Sequence, residues 1–264
     1  MKKRTTLWTI ALLITFTSAY FQRKTGPTYP ISKEIIVMGN KVSFTLPRSW
    51  TTGENCPVRI EVSDHALQGQ IKYKRYKSYD DWKTIPMQKD NSVLTAFLPS
   101  QPPAGKIAYY VLLKNGKTES LTDDEPVIIR FKGAVPAWIL IPHIIFMFLA
   151  MLFSTRSGIE VLAKRKNYIT YTKITIFFLF IGGFVLGPLM QKYAFGSLWT
   201  GIPFGTDLTD NKTLISMIFW LFAWFKNRKS ADKPSWVLAA SIVTLIVYLI
   251  PHSLLGSEID YRNT

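Results

Sequence analysis

Two of the three histidines in this 264-residue chain follow the same tripeptide, in Leu140-Ile141-Pro142-His143 and Leu249-Ile250-Pro251-His252. Both lie in runs without Asp, Glu, Lys or Arg. A proline in a helix lacks the N–H that would bond the carbonyl four residues back, so each imidazole is expected beside freed backbone polarity. Ionisable rings in apolar runs are costly and read as functional by default. At helical rise, His143 lies about 12 Å inside the start of its run and His252 about 5 Å from the end of its own. The acidic groups nearest them in the chain are Asp207 and Asp210, in the segment before the third apolar run, and Glu258 and Asp260, in the tail.

Two imidazoles and four carboxylates at one aqueous boundary suit several chemistries. His143, His252, Asp207, Asp210, Glu258 and Asp260 are candidate ligands of zinc, iron or copper, with Met147 an optional soft ligand one turn from His143. The two histidines are alternatively the axial pair of one b-type haem; no second pair exists for a multi-haem carrier. A third reading has His143 with Asp207 or Glu258 relaying protons or binding a ligand. Structural roles compete with each of these. Asp207, Thr209 or Asp210 is placed to cap a helix, Asp210 foremost, in Asp-Leu-Thr-Asp-Asn-Lys-Thr-Leu. His252 is placed to bond headgroups or Tyr261, and His143 a serine, a carbonyl or a carboxylate. The chain holds no phosphate-cradling glycine loop, no His pair at i, i+4 and no serine-triad context.

The segment Gln191 to Asp207 carries Tyr193, Phe195, Trp199 and Phe204 among three glycines and a proline. It is too apolar for a floppy linker. It is expected either as an aromatic belt at the membrane interface or as a lid over a recess holding the histidines.

The elements that must position these groups follow from composition. The chain is 48% apolar, 14% aromatic and only 19% charged, which excludes a purely soluble enzyme. Four apolar runs read as spans: Val135 to Phe153, Ile174 to Met190, Leu214 to Phe225 and Trp236 to Leu255. The third covers only about 18 Å of a hydrocarbon core of about 30 Å, so either Lys212 and Lys226 snorkel or the helix stops short and leaves a recess. The net charge of +15 is explained by basic stretches abutting these runs: Lys2 to Arg4, Arg156 to Lys173 and Lys226 to Lys233 hold twelve Lys/Arg against Glu160 and Asp232. That is the positive-inside pattern, and a nucleic-acid partner is not expected.

Residues 1–25 combine a basic start with an apolar run and read as a membrane anchor or a signal peptide. Residues 26–132 alternate like strands at Lys41–Leu46, Val58–Val62, Gln70–Lys74 and Ile107–Leu113, with a further strand at Val127–Phe131 and a hairpin signal at Asn115-Gly116. Turn clusters at Pro47–Gly53, Gln88–Ser92 and Pro99–Gly105 separate them. Some seven strands in an exported sandwich of immunoglobulin or fibronectin-III type are predicted, with Trp82 in its core. His65, beside Asp64, reads as a solvated turn histidine. The single cysteine, Cys56, excludes an internal disulfide and cysteine-based metal sites and reads as a small buried strand residue. Residues 133–264 complete a helical membrane bundle of four or five spans.

Several stretches resemble a family of uncharacterised bacterial inner-membrane proteins: Thr25–Pro30, Phe131–Pro136 with Pro142-His143, Gln191–Gly196, Trp199–Gly205, Asp207–Thr213, and Ile250–Ser253 with Gly256–Tyr261. The resemblance implies an exported β-domain followed by a helical membrane part, and brings no activity, cofactor or partner. Residues and resemblance together predict an inner-membrane protein with a cytoplasmic N-terminus if uncleaved, and with its β-domain and C-terminus outside. The leading functional expectation is a metal- or haem-associated component. The alternatives are a non-catalytic scaffold whose β-domain docks a protein partner, and a small transporter or proton-coupled channel.

Overall fold

The structure, a computed structural model, describes residues 2–63, 66–122, 125–230, 232–252, 254, 256 and 258–262. The His65 expectation lies outside the described residues. The chain divides into two compact units, one of residues 1–27 with 135–256, the other of residues 28–134 with 257–264. The last residues therefore belong with the β-unit, and the N-terminal segment with the helical one.

The β-unit is built of two sheets. The first has the order β1 (Ile31–Val37), β2 (Asn40–Leu46), β4 (Cys56–Val62), β8 (Val93–Leu98), β7 (Gln88–Asp90). The second runs β3 (Ser49–Thr51), β11 (Val127–Lys132), β9 (Lys106–Asn115), β5 (Gln68–Arg75), β6 (Lys83–Pro86), with β10 (Lys117–Ser120) also on β9. All pairings are antiparallel except β3 with β11. Alternation sets the inner face: Cys56, Val58, Ile60 and Val62 of β4 meet Ile107, Tyr109, Val111 and Leu113 of β9 in one core. Burial pushes the Cys56 thiol up to about 12, which leaves it an inert core group.

All five quoted strand runs lie in strands. Two expected turn clusters prove to contain short ones, β3 in Pro47–Gly53 and β7 in Gln88–Ser92. Trp82 is not in the core. It packs 5.2 Å from Tyr110 beneath the ammonium groups of Lys72 and Lys74, on the solvent side of β5 and β9. The core aromatics are instead Phe44, Tyr109, whose hydroxyl donates to the Pro47 carbonyl at 2.9 Å, and Phe131. At the β1–β2 hairpin Met38 and Gly39 both have positive φ, as a two-residue turn matching strand twist requires.

The helical unit comprises α1 (Lys2–Lys24), α2 (Ala137–Leu162), α3 (Tyr168–Phe180), α4 (Gly187–Phe195), α5 (Leu208–Asn227) and α6 (Pro234–Leu249). A π-helical turn, Ile181–Leu186, joins α3 to α4 into one 28-residue helix. That helix and α2 are long and apolar enough to cross a membrane. The helix α2 runs nine residues beyond the expected end of its span, so Arg156 and Glu160 lie inside it and not in a basic loop. The helix α5 has 20 residues where an apolar run of twelve was expected, because Asp210 and Lys212 turn inward and need no aqueous end. The helix α6 stops at Leu249, since Ile250, preceding Pro251, is extended.

Close approach fixes the α2–α6 crossing. A Cβ on Gly158 would lie 2.4 Å from Ser241 Oγ, and that hydroxyl donates to the Ser154 carbonyl at 2.9 Å. Small residues of this kind let membrane helices pack closely. Gly158→Ala is expected to destabilise the helical unit by about 1–3 kcal/mol through overpacking. Adding Ser241→Gly should recover most of that loss. Thermal unfolding in detergent of the single and double variants checks this.

Candidate functional site

His143 sits in the second turn of α2, just past Pro142. Its Nδ1–H donates to the Gly182 carbonyl at 2.9 Å, which leaves Nε2 as the ring's lone-pair nitrogen. Gly182 belongs to the π turn, whose closing N–H from Gly187 bonds the same carbonyl. The neighbouring Gly183 lies against Thr213 of α5, where a Cβ would come within 2.6 Å of the threonine methyl. Next in α5 is Lys212, whose Nζ donates to the Ile250 carbonyl at 2.8 Å. Gln22 of α1 donates to the same oxygen at 3.3 Å. His252 follows two residues later, exposed, and within electrostatic reach of Lys212, His143 and Asp207.

The two proline-preceded histidines are thus joined by a short chain of contacts through the π turn and α5. Sequence reasoning missed the group between them. Lys212 was expected either to snorkel or to mark the start of a helix that stops short, and it is buried, 4% exposed. The signal available was its place between Asp210 and an apolar run, which also suits a helix end.

Each of the four carboxylates has a protein partner of its own. Asp207 is the α5 N-cap, accepting from the Thr209 N–H at 2.8 Å, in the role expected first of Asp210. Asp210, 7% exposed, reaches back instead to the preceding loop and accepts from the amides of Thr200 at 2.6 Å and Gly201 at 3.0 Å. One turn into a helix, a short carboxylate points toward the N-terminal side of its own Cα, which places it under that loop. Glu258 belongs to the β-unit, where it pairs with Lys77 and Lys106. Asp260 pairs with Arg262 at 2.6 Å, and that guanidinium holds its carboxyl down at about 2. Among the described residues, no three His, Cys, Asp or Glu side chains form a group able to hold a metal ion.

The aromatic loop is rigidly built. Trp199 stacks on Phe184 with ring centroids 5.6 Å apart and donates its Nε1–H to the Ile202 carbonyl. The Asn211 carboxamide oxygen accepts from Ile202 N–H at 2.7 Å, and the Ile202–Pro203 bond is cis. Polar groups of the loop turn toward α5, whereas Phe204 is 82% exposed and Ile202, Leu198 and Tyr193 also face outward. Phe195, closing α4, is half-buried.

A second polar centre was not foreseen. Arg156 and Glu160 form an i, i+4 ion pair with both side chains 0% exposed. The guanidinium lies 5.3 Å from the Trp8 ring of α1 and 4.9 Å from the Tyr171 ring of α3. Their position in a Lys/Arg-rich stretch made them read as loop residues.

No family model matches the chain, and no curated protein shows significant similarity to it.

Two outcomes follow from these contacts. Asp210→Ala leaves the Thr200 and Gly201 amides without their acceptor, a loss of about 1–3 kcal/mol, so hydrogen exchange across residues 198–205 should accelerate. For Glu258, burial acts to raise the carboxyl pKa, but hydrogen bonds from Lys106 and Lys77 outweigh it and hold the pKa below the usual range. A depressed folded value means that the contribution is full above the unfolded value of about 4.3 and is lost as pH falls through the lower folded one. Docking of the tail should therefore weaken on acidification, by about 1 kcal/mol in all, and Glu258→Gln should remove that dependence. Hydrogen exchange at Ile259 against pH measures it.

Proposed function

We propose that the protein is a non-catalytic membrane-integrated scaffold, with an immunoglobulin- or fibronectin-III-like β-unit that docks a protein partner and a helical unit that spans the bacterial inner membrane. Five helices support a reading with four or five spans. The 20 residues of α5 cover about 30 Å at helical rise, one bilayer core. The packing of Trp8 on Phe153 and Tyr171 supports α1 as a resident, uncleaved helix. Basic residues Lys164 to Lys166 and Lys226 to Lys233 support a cytoplasmic placement of the α2–α3 and α5–α6 connections. An even number of crossings between residues 134 and 257 is consistent with the tail lying in the β-unit, so both would face the periplasm. The outward Phe204, Ile202 and Leu198 favour the interfacial reading of the aromatic loop over the lid.

The observation that carries the scaffold reading is that His143, Asp210 and Glu258, expected in one reactive pocket, act as ties, as does Lys212. His143 holds the π turn, Lys212 holds the α6 end, Asp210 holds the aromatic loop, and Glu258 holds the tail. Deeper in the unit, Trp220 donates to Thr244 at 2.7 Å and Tyr248 to the Met147 carbonyl at 2.9 Å. Each bond joins two segments, as a bundle held without a hydrophobic driving force requires. On the β-unit, the Trp82–Tyr110 surface with Lys72 and Lys74 offers aromatic anchors of the kind that dominate protein interfaces.

The test is visible absorption, elemental analysis and liposome flux on the purified full chain. The scaffold reading expects no Soret band, metal well below one equivalent, and no flux above empty liposomes. A Soret band or stoichiometric metal that disappears in His143→Ala and His252→Ala would replace it with the metal or haem reading. Proton or solute flux abolished by the same changes would replace it with transport.

A further inference from the structure

Lys212 reverses the charge preference of the end of the helical unit where the histidines lie. An ammonium bonded to the Ile250 carbonyl and within electrostatic reach of His252 repels a metal cation, and the carboxylates are engaged with other partners. Asp210 is bound to the amides of Thr200 and Gly201, and Glu258 and Asp260 belong to the β-unit. Asp207 shares the region, accepting from Thr209 as the α5 cap. The N-terminal end of α5, with the positive end of its dipole, points the same way. Contacts within the helical unit close the arrangement: His143 on Gly182, Thr213 on Gly183, and Lys212 and Gln22 on Ile250, two residues before His252.

We propose that this cluster is an anion site for a phosphate monoester, with exposed His252 and half-buried His143 at its rim and Lys212 beneath. The chemistry of the three groups matches that anion. Phosphate oxygens accept from the ammonium, in a charge-assisted bond about twice as strong as a neutral one, and from the ring N–H of a neutral His252. In its monoanion form the group also carries a P–OH, which donates to the Nε2 lone pair that the Gly182 bond leaves on His143. A carboxylate has no such donor, and a metal cation would meet Lys212. Partial exposure of His143 and Asp207, and the exposed His252, give the ligand an approach from outside the bundle.

The phosphate has two sources, a lipid headgroup such as phosphatidic acid or a soluble phosphomonoester. The lipid source rests on the membrane reading above; the soluble one does not. The full chain is reconstituted in nanodiscs containing phosphatidic acid, with diacylglycerol as the uncharged control, and retained lipid is counted by native mass spectrometry. In parallel, inorganic phosphate is titrated in detergent against chloride at matched ionic strength, with thermal unfolding as the readout.

Selective retention of phosphatidic acid, weakened roughly tenfold in His252→Ala and in Lys212→Met and kept in Lys212→Arg, establishes a lipid phosphate site. Stabilisation by inorganic phosphate with the same residue dependence, without lipid retention, establishes a soluble phosphate site. Should Lys212→Met fail to fold, the exposed His252 decides. Equal retention of both lipids with no phosphate effect overturns the proposal, as does binding that survives His252→Ala undiminished. The metal test above is read separately, so failure here leaves the scaffold reading standing.

Discussion

The helical unit turns on one carbonyl oxygen. Pro251 forces Ile250 out of helical geometry, α6 ends, and the Ile250 carbonyl is left without a helical partner. In an apolar bundle such a group must be satisfied from within. Lys212 and Gln22 both supply donors, so the start of α5, the end of α1 and the end of α6 meet at that atom. The same logic runs through the π turn, where the Gly182 carbonyl takes both Gly187 N–H and His143 Nδ1–H. Irregular backbone at two places thereby dictates which polar side chains the bundle must carry inside.

That constraint also changes what the histidines are for. An imidazole whose Nδ1–H is fixed by a backbone carbonyl is oriented as a metal-bound histidine would be. His252 has both the Lys212 ammonium and the Asp207 carboxylate within electrostatic reach. Lys212, 4% exposed, is the residue that turns the proposed site from a cation site to an anion site. Arg156 and Glu160 show the same economy further along α2. Two ionised groups that would be costly singly are buried as a pair between aromatic rings of α1 and α3.

In the β-unit the ties are of another kind. Alternation alone supplies the core, and the polar contacts that matter hold the tail: Glu258 on Lys77 and Lys106, the Tyr261 hydroxyl donating to Gln101 at 3.1 Å, and the Arg75 guanidinium over the Tyr261 ring. They serve to keep the end of the chain in place.

Periodicity made much of this legible from residues alone. Strands β2, β4, β5, β9 and β11 alternate over enough residues to declare an inner face, and the uncharged runs around His143 and His252 declare helices in an apolar setting. Short strands β3 and β7 were not legible, because three residues carry no period and their pairing is set by neighbours distant in sequence. Trp82 was misplaced for the same reason: its face depends on register with Tyr110, which no local pattern contains. Local order thus follows from the spacing of apolar residues, an attribute of the sequence by itself. The partners of charged residues do not, since Asp207, Asp210, Lys212, Arg156 and Glu258 each sit where either water or a buried mate would be acceptable. Only the three-dimensional packing decides between those, because the energy of a charge depends on what surrounds it and not on its place in the chain.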